Sequence, residues 1–292
     1  MPPVIDIHGH TIPRRAYLRP DGQTAATPTE LVAIMDRLGV DKMVILPLSS
    51  PEALHFVQSN EEALEACAQY PDRFIPFCSI DPRLENNSPR HDFTHILAYY
   101  RSLGCKGMGE LVANLPWDDG RVQRLFEGCA AVGFPVTIHC DWHEFNTYGL
   151  VAGPGLGGLE RALQRFPTLQ LLGHSPGFWS EVSGDPRNPT GAVLPGGRVP
   201  ALLRAYPNLW GDLSAGSGFG AISRDPQWGY SFLEEFQDRL LFGMDICLPS
   251  QEQHRARIVH FMRAAVTDGK LSPTAYDKIM GANAVRLLSL DT

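Results

Sequence analysis

Two histidines separated by a glycine lie near the start of the chain, at the end of an apolar segment. Residues 4–10 read VIDIHGH. Side chains two residues apart in an extended strand point to the same side, so His8 and His10 would direct two imidazoles at one place. Imidazole nitrogen is a common ligand of transition metals. The pair also fits two packed, hydrogen-bonded histidines, and further ligands are needed to distinguish these interpretations.

Other potential ligands follow other apolar segments of the chain. Glu110, His139, His174 and Asp245 each end a segment that is predicted to be a strand. Taken singly, each has an ordinary explanation, such as a core histidine, a solvated carboxylate or, for Asp245, a helix N-cap. Their recurrence at the ends of independent strands favours one shared site. Imidazole and carboxylate ligands without a thiolate suit zinc, manganese or iron in a hydrolytic site.

The elements that must hold these residues alternate along the chain. The predicted strands cover residues 4–10, 41–47, 73–80, 105–111, 134–139, 169–174, 209–213 and 239–245. The predicted helices cover residues 28–39, 51–70, 89–103, 118–132, 156–166, 198–206, 227–237, 251–267 and 273–289. For the first helix, Thr27 with Glu30 three positions on predicts an N-cap with a capping box, and Pro28 fits the first helical position.

Strands that are apolar on both faces and alternate with helices indicate parallel pairing with the helices outside. Eight such units in 292 residues predict one α/β domain over residues 1–292, a (β/α)8 TIM barrel with an extra C-terminal helix. An open, doubly wound sheet is the alternative, but it calls for a glycine-rich phosphate loop after the first strand, and His8-Gly9-His10 is not one. Active sites of such barrels lie at the carboxyl ends of the strands, where the candidate ligands fall.

Composition and charge limit the kind of partner. The formal net charge is −7 and the pI is near 5.8, which argues against nucleic acid or an anionic membrane surface. The N-terminus lacks the pattern of a signal peptide, and no segment is apolar for long enough to span a bilayer. The six cysteines include no C-x-x-C pair and are expected to be reduced, buried thiols. We therefore expect a cytoplasmic protein that acts on a small molecule; homo-oligomers are common among such barrels, although no surface stripe marks an interface.

Aromatic and basic residues on the strand-end loops are candidates for binding a substrate. His143 lies four residues past His139, and Trp117, Trp179 and Arg224 fall on other loops of this kind. They would line an apolar pocket with a cation for a substrate carboxylate, or they would only cap the barrel or lie at its surface. The other candidate arginines are Arg14, Arg15, Arg187 and Arg198. The remaining histidines fall on predicted helices: His55, His91, His95, His254 and His260.

These residues together carry a resemblance. HGH at 8–10, His139, GHSP at 173–176 and FGMD at 242–245 are similar to the amidohydrolase superfamily, and more narrowly to its amidohydrolase-related branch, which includes aminocarboxymuconate-semialdehyde decarboxylase-like enzymes. The likeness covers the whole chain, including the C-terminal helix. It implies a metal-bearing barrel in which His8, His10, His139 and Asp245 hold the ion, with His174 as a second-metal ligand or an acid/base.

The fourth strand departs from the pattern of many binuclear members, which carry a carboxylated lysine there. In this chain Lys106 lies early in the strand and Glu110 at its end. Side-chain parity places both on one face, with Glu110 nearer the mouth. We therefore expect Glu110 to be a metal ligand or bridge and Lys106 a buried partner. Members known for decarboxylation generally lack a ligand on this strand, so Glu110 favours hydrolysis.

The sequence thus predicts a metal-dependent hydrolase that acts on a small-molecule ester, lactone or amide. One or two divalent ions are expected, zinc first, with manganese or iron as alternatives. Asp245 would accept the proton of the metal-activated water, and His174 would stabilise the oxyanion. The alternative is a non-oxidative decarboxylase or hydratase of an aromatic or unsaturated acid, in which His174 or Asp245 protonates carbon. A barrel that binds metal without catalysis would show gaps in the ligand set, and the sequence shows none.

Overall fold

A computed structural model describes residues 2–14, 18–53, 57–145 and 147–291 of the chain. Its strands are β1 Ile5–Gly9, β2 Lys42–Ile45, β3 Phe74–Pro76, β4 Met108–Leu111, β5 Val136–Asp141, β6 Leu150–Val151, β7 Leu171–His174, β8 Leu209–Asp212 and β9 Leu240–Leu241. All the strand pairs are parallel. Eight of these strands correspond to the predicted ones, and β6 is a two-residue addition beside β5.

The helices follow the strands in the predicted alternation. They are α1 Pro28–Leu38, α2 Asn60–Gln69, α3 Leu84–Asn87, α4 Thr94–Ser102, α5 Gly120–Val132, α6 Gly157–Arg165, α7 Pro176–Trp179, α8 Arg198–Ala205, α9 Ala215–Ser223, α10 Pro226–Glu235, α11 Glu252–Arg255, α12 Arg257–Thr267, α13 Pro273–Asp277 and α14 Asn283–Leu288. The predicted capping box of α1 is confirmed, since Thr27 and Glu30 bond each other's backbone. Among the helices in these ranges, none has both the length and the apolar character that crossing a membrane requires.

The strands form two sheets, β1-β2-β3 and β4-β5-β7-β8-β9, and hydrogen bonds join their edges on both sides. On one side, the amide of Cys78 donates to the carbonyl of Gly107 (3.0 Å). On the other side, the amide of Ile7 donates to Phe242 (2.9 Å), and that of Asp245 donates to the carbonyl of His8 (2.9 Å). The chain is therefore an α/β TIM barrel, as predicted.

Two apolar clusters hold the barrel together. The larger one lies between the strands and the surrounding helices. The smaller one joins both sheets to α14 through the buried side chains Ile5, Ile7, Val44, Leu46, Ile75, Phe77, Leu172, Trp210, Leu241, Ala284 and Leu288. The predicted C-terminal helix is thus confirmed, as a continuous run of α13, a π-helical turn (Lys278–Ala282) and α14. Because Gly281 lies against Pro3, just before β1, this run covers the amino ends of the strands and leaves the carboxyl ends for a site.

Two predicted helices begin more than one helical turn later than expected. The helix predicted over 51–70 begins at Asn60, because Ser59 caps it through a second capping box with Glu62, and residues 51–53 form a turn instead. The helix predicted over 89–103 begins at Thr94, whose amide donates to the side chain of Asp92 (2.9 Å). In both cases a local side-chain to backbone bond sets the start of the helix.

Candidate active site

A buried group of histidines and carboxylates lies where the strands end. We name it the histidine–carboxylate cluster, and its members are His8, His10, Glu110, His139, His174, Asp212 and Asp245. Their side chains come from the carboxyl ends of β1, β4, β5, β7 and β8 and from the segment after β9. Asp245 is the most accessible of them, with 15% of its side chain exposed. The structure therefore brings together all six predicted ligands and one further carboxylate.

The imidazoles of His8 and His10 face each other, with 3.0 Å between their Nε2 atoms. The Nδ1 atom of His10 donates to the carbonyl of Leu46 (2.8 Å), and the Nδ1 atom of His8 bonds the carboxylate of Asp212 (2.7 Å). In the neutral rings both Nε2 lone pairs therefore point at one place, and a cation between them would stabilise this arrangement. Two ligand atoms that are each about 2.1 Å from an ion lie about 3.0–3.4 Å apart, so the spacing fits a shared metal ion.

Two carboxylates complete this arrangement. Oδ1 of Asp245 lies 3.4 Å from Nε2 of His10 and 3.7 Å from Nε2 of His8. Oε2 of Glu110 lies 3.5 Å from each of the same two nitrogens. The ligand atoms of His8, His10 and Asp245 lie within 4.8 Å of one another, and so do those of His8, Glu110 and His174. The donor set of imidazole and carboxylate suits a divalent transition metal.

A comparison of the sequence with known protein families also supports a metal site here. The sequence model of the amidohydrolase family matches residues 5–290. The chain belongs to the amidohydrolase family. This match confirms the resemblance to the amidohydrolases that was inferred from the strand-end residues. Family membership and the buried histidine-rich site together support a metal-dependent enzyme that uses a divalent ion.

Solved structures share the fold of this amidohydrolase over most of its length. A 5-carboxyvanillate decarboxylase from Sphingomonas paucimobilis is 17% identical, with a TM-score of 0.62 and 100% of both chains covered. A probable 2-pyrone-4,6-dicarboxylic acid hydrolase from Acinetobacter baumannii is 15% identical, with a TM-score of 0.62 over 98% of this chain and 99% of that chain. A 5-carboxyvanillate decarboxylase from Novosphingobium aromaticivorans, complexed with manganese and 4-hydroxy-3-methoxy-5-nitrobenzoic acid, is 21% identical, with a TM-score of 0.57 over 89% of this chain and 79% of that one. At these identities the likeness shows the fold alone. None of the curated proteins matches the sequence.

His139 and His174 occupy different surroundings within the cluster of this amidohydrolase. Nδ1 of His139 lies 2.6 Å from Oε1 of Glu110, and the ring of Tyr148 covers the imidazole with 4.2 Å between the ring centroids. Nδ1 of His174 lies 3.1 Å from Oγ of Ser214, and its Nε2 lies 3.8 Å from Glu110. Within the described residues, the two candidate ligand groups include His174 but not His139. The contact of His139 with these groups is therefore its hydrogen bond to Glu110.

The charges of the cluster stabilise one another. Burial alone would raise the pKa of Glu110, but hydrogen bonds from His139 and His8 hold that pKa well below its usual range. Burial would likewise raise the pKa of Asp245, and the charge of His8, the hydrogen bond from His10 and the guanidinium of Arg255, 3.4 Å away, lower it instead. Both carboxylates are therefore ionised, and Asp245 has an unpredicted positioning partner in Arg255.

Sequence reasoning missed Asp212, although it ends the predicted seventh strand just as the ligands end theirs. Its carboxylate contacts Nδ1 of both His8 (2.7 Å) and His174 (3.3 Å), and its backbone carbonyl accepts the indole N–H of Trp179 (2.8 Å). Burial would raise its pKa, but the charges of the two histidines hold it well below the usual range. Asp212 therefore fixes the orientation of two imidazoles at once.

Asp6 was also missed, and its spacing of two residues from His8 was the available signal. Its side chain is fully buried, and Oδ1 accepts the backbone amides of His8 (2.9 Å) and Met244 (3.0 Å). Burial raises the pKa of Asp6 to about 8 in spite of these two hydrogen bonds. Asp6 thus ties the end of β1 to the segment that leads to Asp245.

Asp212→Asn is expected to weaken zinc binding about 10–100-fold, because an amide nitrogen cannot accept the Nδ1–H of His8. Zinc affinity can be measured by competition with a chromophoric chelator. Asp141→Asn is the matched control, since Asp141 also ends a strand but bonds His143 and Thr147 instead of a cluster histidine. Equal zinc affinity in Asp212→Asn and the natural protein would show that His8 needs no support from Asp212.

A cavity of about 570 Å³ is formed by the loops that follow β5, β7 and β8. Three of the predicted substrate contacts line it, namely His143, Trp179 and Arg224, and so does the candidate Arg187. Burial lowers the pKa of Arg224, and the negative charge of Asp225 partly offsets this effect. The cavity thus places a half-buried cation beside aromatic side chains.

Other predicted residues lie elsewhere. Trp117 is 2% exposed and packs against Phe126 and Gly158 between helices, so it contributes to the core and does not line this cavity. Lys106 is partly exposed rather than buried, because the register of β4 shifts between Met108 and Leu111 and breaks the expected parity with Glu110. Arg14 pairs with Glu65 at the surface, and Arg198 pairs with Glu160. Arg15 and His55 lie outside the described residues.

Proposed function

We propose that this protein is a metal-dependent hydrolase that cleaves a small-molecule ester, lactone or amide. The observation that carries the proposal is the convergence of two Nε2 atoms, 3.0 Å apart, with two ionised carboxylates, Glu110 and Asp245. A divalent ion bound there lowers the pKa of water from 15.7 to about 7 and polarises a carbonyl oxygen. Since one carboxylate with two imidazoles is enough to hold such an ion, the second remains able to accept a proton.

We propose one ion, held by His8 and His10 with Asp245 or Glu110. The two candidate ligand groups share His8, whose Nδ1 is committed to Asp212, so only its Nε2 lone pair is left for a metal. One lone pair binds one ion. We propose zinc as the metal because its usual ligands are imidazole and carboxylate; manganese and iron are alternatives, and manganese is bound in the Novosphingobium decarboxylase structure.

Side chains of the cluster would then accept and donate the protons of the reaction. Oδ1 of Asp245 would accept a proton from the attacking water and pass it to the leaving group, while Arg255 keeps the other oxygen in place. Nδ1 of His174 is held by Ser214 and Asp212, which directs Nε2 toward the cluster. In its protonated form, His174 would donate from Nε2 to the oxyanion that develops on the attacked carbonyl.

A non-oxidative decarboxylase remains the second candidate, and the cavity beside the cluster favours it. Arg224 offers a cation for an acid substrate, and two of the structures with this fold are 5-carboxyvanillate decarboxylases. In that reaction Asp245 or His174 would protonate the carbon from which CO₂ departs. The carboxylate of Glu110 disfavours this candidate, because it adds negative charge where an anionic substrate would bind.

Isotope-labelled water separates the two candidates. The zinc-loaded protein would be given a panel of aromatic esters, lactones and amides, and a panel of aromatic and unsaturated acids, in water enriched in ¹⁸O. We expect acid release from the first panel, with one ¹⁸O atom in each new carboxylate, and no CO₂ from the second. CO₂ release from an acid, without hydrolysis of any member of the first panel, would establish the decarboxylase instead.

A further inference from the structure

Ser175 alone makes the turn from β7 into α7, in a backbone conformation that residues with a side chain rarely adopt. Strand β7 ends at His174 and α7 begins at Pro176, and between them Ser175 has φ 91° and ψ 167°. This conformation is populated almost entirely by glycine, so another residue stays in it only when its surroundings hold it there. Ser175 is fully buried, and contacts inside the protein must therefore hold it.

The hydroxyl of Ser175 makes two such contacts. Its Oγ atom accepts the backbone amide of Cys140 (2.9 Å) and donates to the backbone carbonyl of the same residue. One side chain of the segment after β7 thus bonds both backbone polar groups of a residue in β5. We name this pair of hydrogen bonds the Ser175 clamp.

The clamp replaces hydrogen bonds of the β5–β7 ladder that the backbone does not make. In this ladder the amide of Val136 donates to the carbonyl of Gln170 (2.9 Å). Continued in the same parallel pattern, the carbonyl of Cys140 would accept the amide of residue 176. That residue is Pro176, which has no N–H to donate. The hydroxyl of Ser175 therefore supplies the donor that a buried carbonyl would otherwise lack.

The clamp directly follows two histidines of the cluster. His139 and His174 lie opposite each other in the pairing of β5 with β7, with 5.6 Å between their ring centroids. Cys140 is the next residue after His139, and Ser175 is the next residue after His174. The backbone that carries both imidazoles is therefore fixed where each of the two strands ends.

The turn is packed closely against its neighbours. A Cβ atom at Gly177 would lie 2.5 Å from the carbonyl oxygen of Cys140, so the start of α7 lies directly on β5. The carbonyl of Ser175 accepts the amide of Trp179 (3.0 Å), and the indole of Trp179 donates to the carbonyl of Asp212 (2.8 Å). The same short segment thus joins the ends of β5, β7 and β8.

We propose that Ser175 is a positioning residue of the candidate active site, and that its clamp holds the imidazoles of His139 and His174 in place. Its hydroxyl is committed to Cys140 and acts on the site only through the backbone. Its effect on catalysis rests on the proposed function, in which His174 stabilises the oxyanion. Its effect on the two imidazoles can be measured without turnover.

Ser175→Gly removes the clamp without adding strain, because glycine adopts this backbone conformation freely and has no hydroxyl. The Cε1–Hε1 signals would be recorded by NMR in zinc-loaded protein with ¹³C-labelled histidine. We expect the signals of His139 and His174 to shift or broaden, while that of His95, an exposed residue of α4, stays unchanged. His139 is the critical signal, since it lies on the strand opposite the substitution. Ser180→Ala is the matched control, because the Oγ of Ser180 has no hydrogen-bond partner in the described part of the chain.

Hydrolysis of 4-nitrophenyl acetate gives a second measurement. The kcat of Ser175→Gly is expected to fall about 10–100-fold at unchanged KM, because a displaced His174 no longer meets the oxyanion of the transition state. The zinc affinity should equal that of the natural protein, since the proposed ion is held by His8 and His10. A residue with a purely structural role would lower the melting temperature and leave the histidine signals and kcat of the folded protein unchanged.

Failure of this proposal can be distinguished from failure of the proposed function. If the natural protein did not hydrolyse the ester, the hydrolase would lose support, and the NMR signals would still test Ser175. Unchanged signals of His139 and His174 in Ser175→Gly would overturn the proposal, and so would equal changes in the signals of His8 and His10. If Ser175→Gly failed to fold, Ser175→Cys would serve, since a thiol is a weaker donor and acceptor and should change the same signals less.

Discussion

His10→Ala is expected to abolish tight metal binding and, with it, turnover. The change removes one of two imidazoles whose Nε2 atoms lie 3.0 Å apart, so the proposed site would keep only the imidazole of His8 beside the two carboxylates. Metal content after dialysis against trace zinc can be measured by mass spectrometry, and activity in the same samples. His95→Ala is the matched control, because His95 is an exposed residue of α4 away from the cluster. We expect the control to keep the metal content and the rate of the natural protein.

The natural protein should bind zinc more tightly as the pH rises. Burial would lower the pKa of His8, but Asp212 and Asp245 beside it raise that pKa well above its ordinary value. In the metal-free protein a proton therefore occupies the cluster, and the ion must displace it. When the binding of one ion displaces one proton, the zinc affinity increases about tenfold for each pH unit. This holds as long as the pH is below the pKa of the group that loses the proton. Zinc affinity that was constant or falling between pH 6 and pH 8 would contradict this account.

The candidate metal ligands were predictable because the same kinds of residue recur at the ends of several strands. A histidine or carboxylate at the end of each of several apolar strands is visible in a linear sequence, and parallel strands bring their ends to one side of a barrel. The residues that orient these ligands carry no comparable signal. Arg255 contacts Asp245 from a helix ten positions later, and Asp212 is a single aspartate whose partners are 204 and 38 positions away in the chain.

The role of Trp117 depends on packing that the sequence does not display. The residue follows β4 and so fits a loop over the mouth, yet its ring lies under α6. The space for it exists because Gly158 has no side chain; a Cβ there would lie 2.5 Å from Cγ of Trp117. A contact between residues 41 positions apart is decided by the shape of the layer between helices and strands, which hydrophobic patterning alone does not specify.

Asp245→Asn is expected to lower kcat about 10²–10⁴-fold while leaving the fold and the bound metal in place. An amide cannot accept the proton that Asp245 would take from water, but its oxygen can still ligate an ion. The backbone at this position has φ 57°, a left-handed conformation that asparagine and aspartate tolerate better than other residues with a side chain. Thermal unfolding and metal content should therefore match the natural protein, whereas Asp245→Ala would add backbone strain to the chemical defect.

Glu110→Gln is the comparison that assigns the roles of the two carboxylates. Both carboxylates lie 3.4–3.7 Å from the same two imidazole nitrogens, but Arg255 lies beside Asp245, whereas Glu110 bonds His139. If Asp245 is the base, its asparagine variant loses rate at full metal occupancy, while Glu110→Gln loses metal affinity and regains rate at high zinc. The reverse pattern would make Glu110 the base and Asp245 the ligand. A full rate in both metal-saturated variants would show that neither carboxylate transfers the proton, and the hydrolytic mechanism would then need another base.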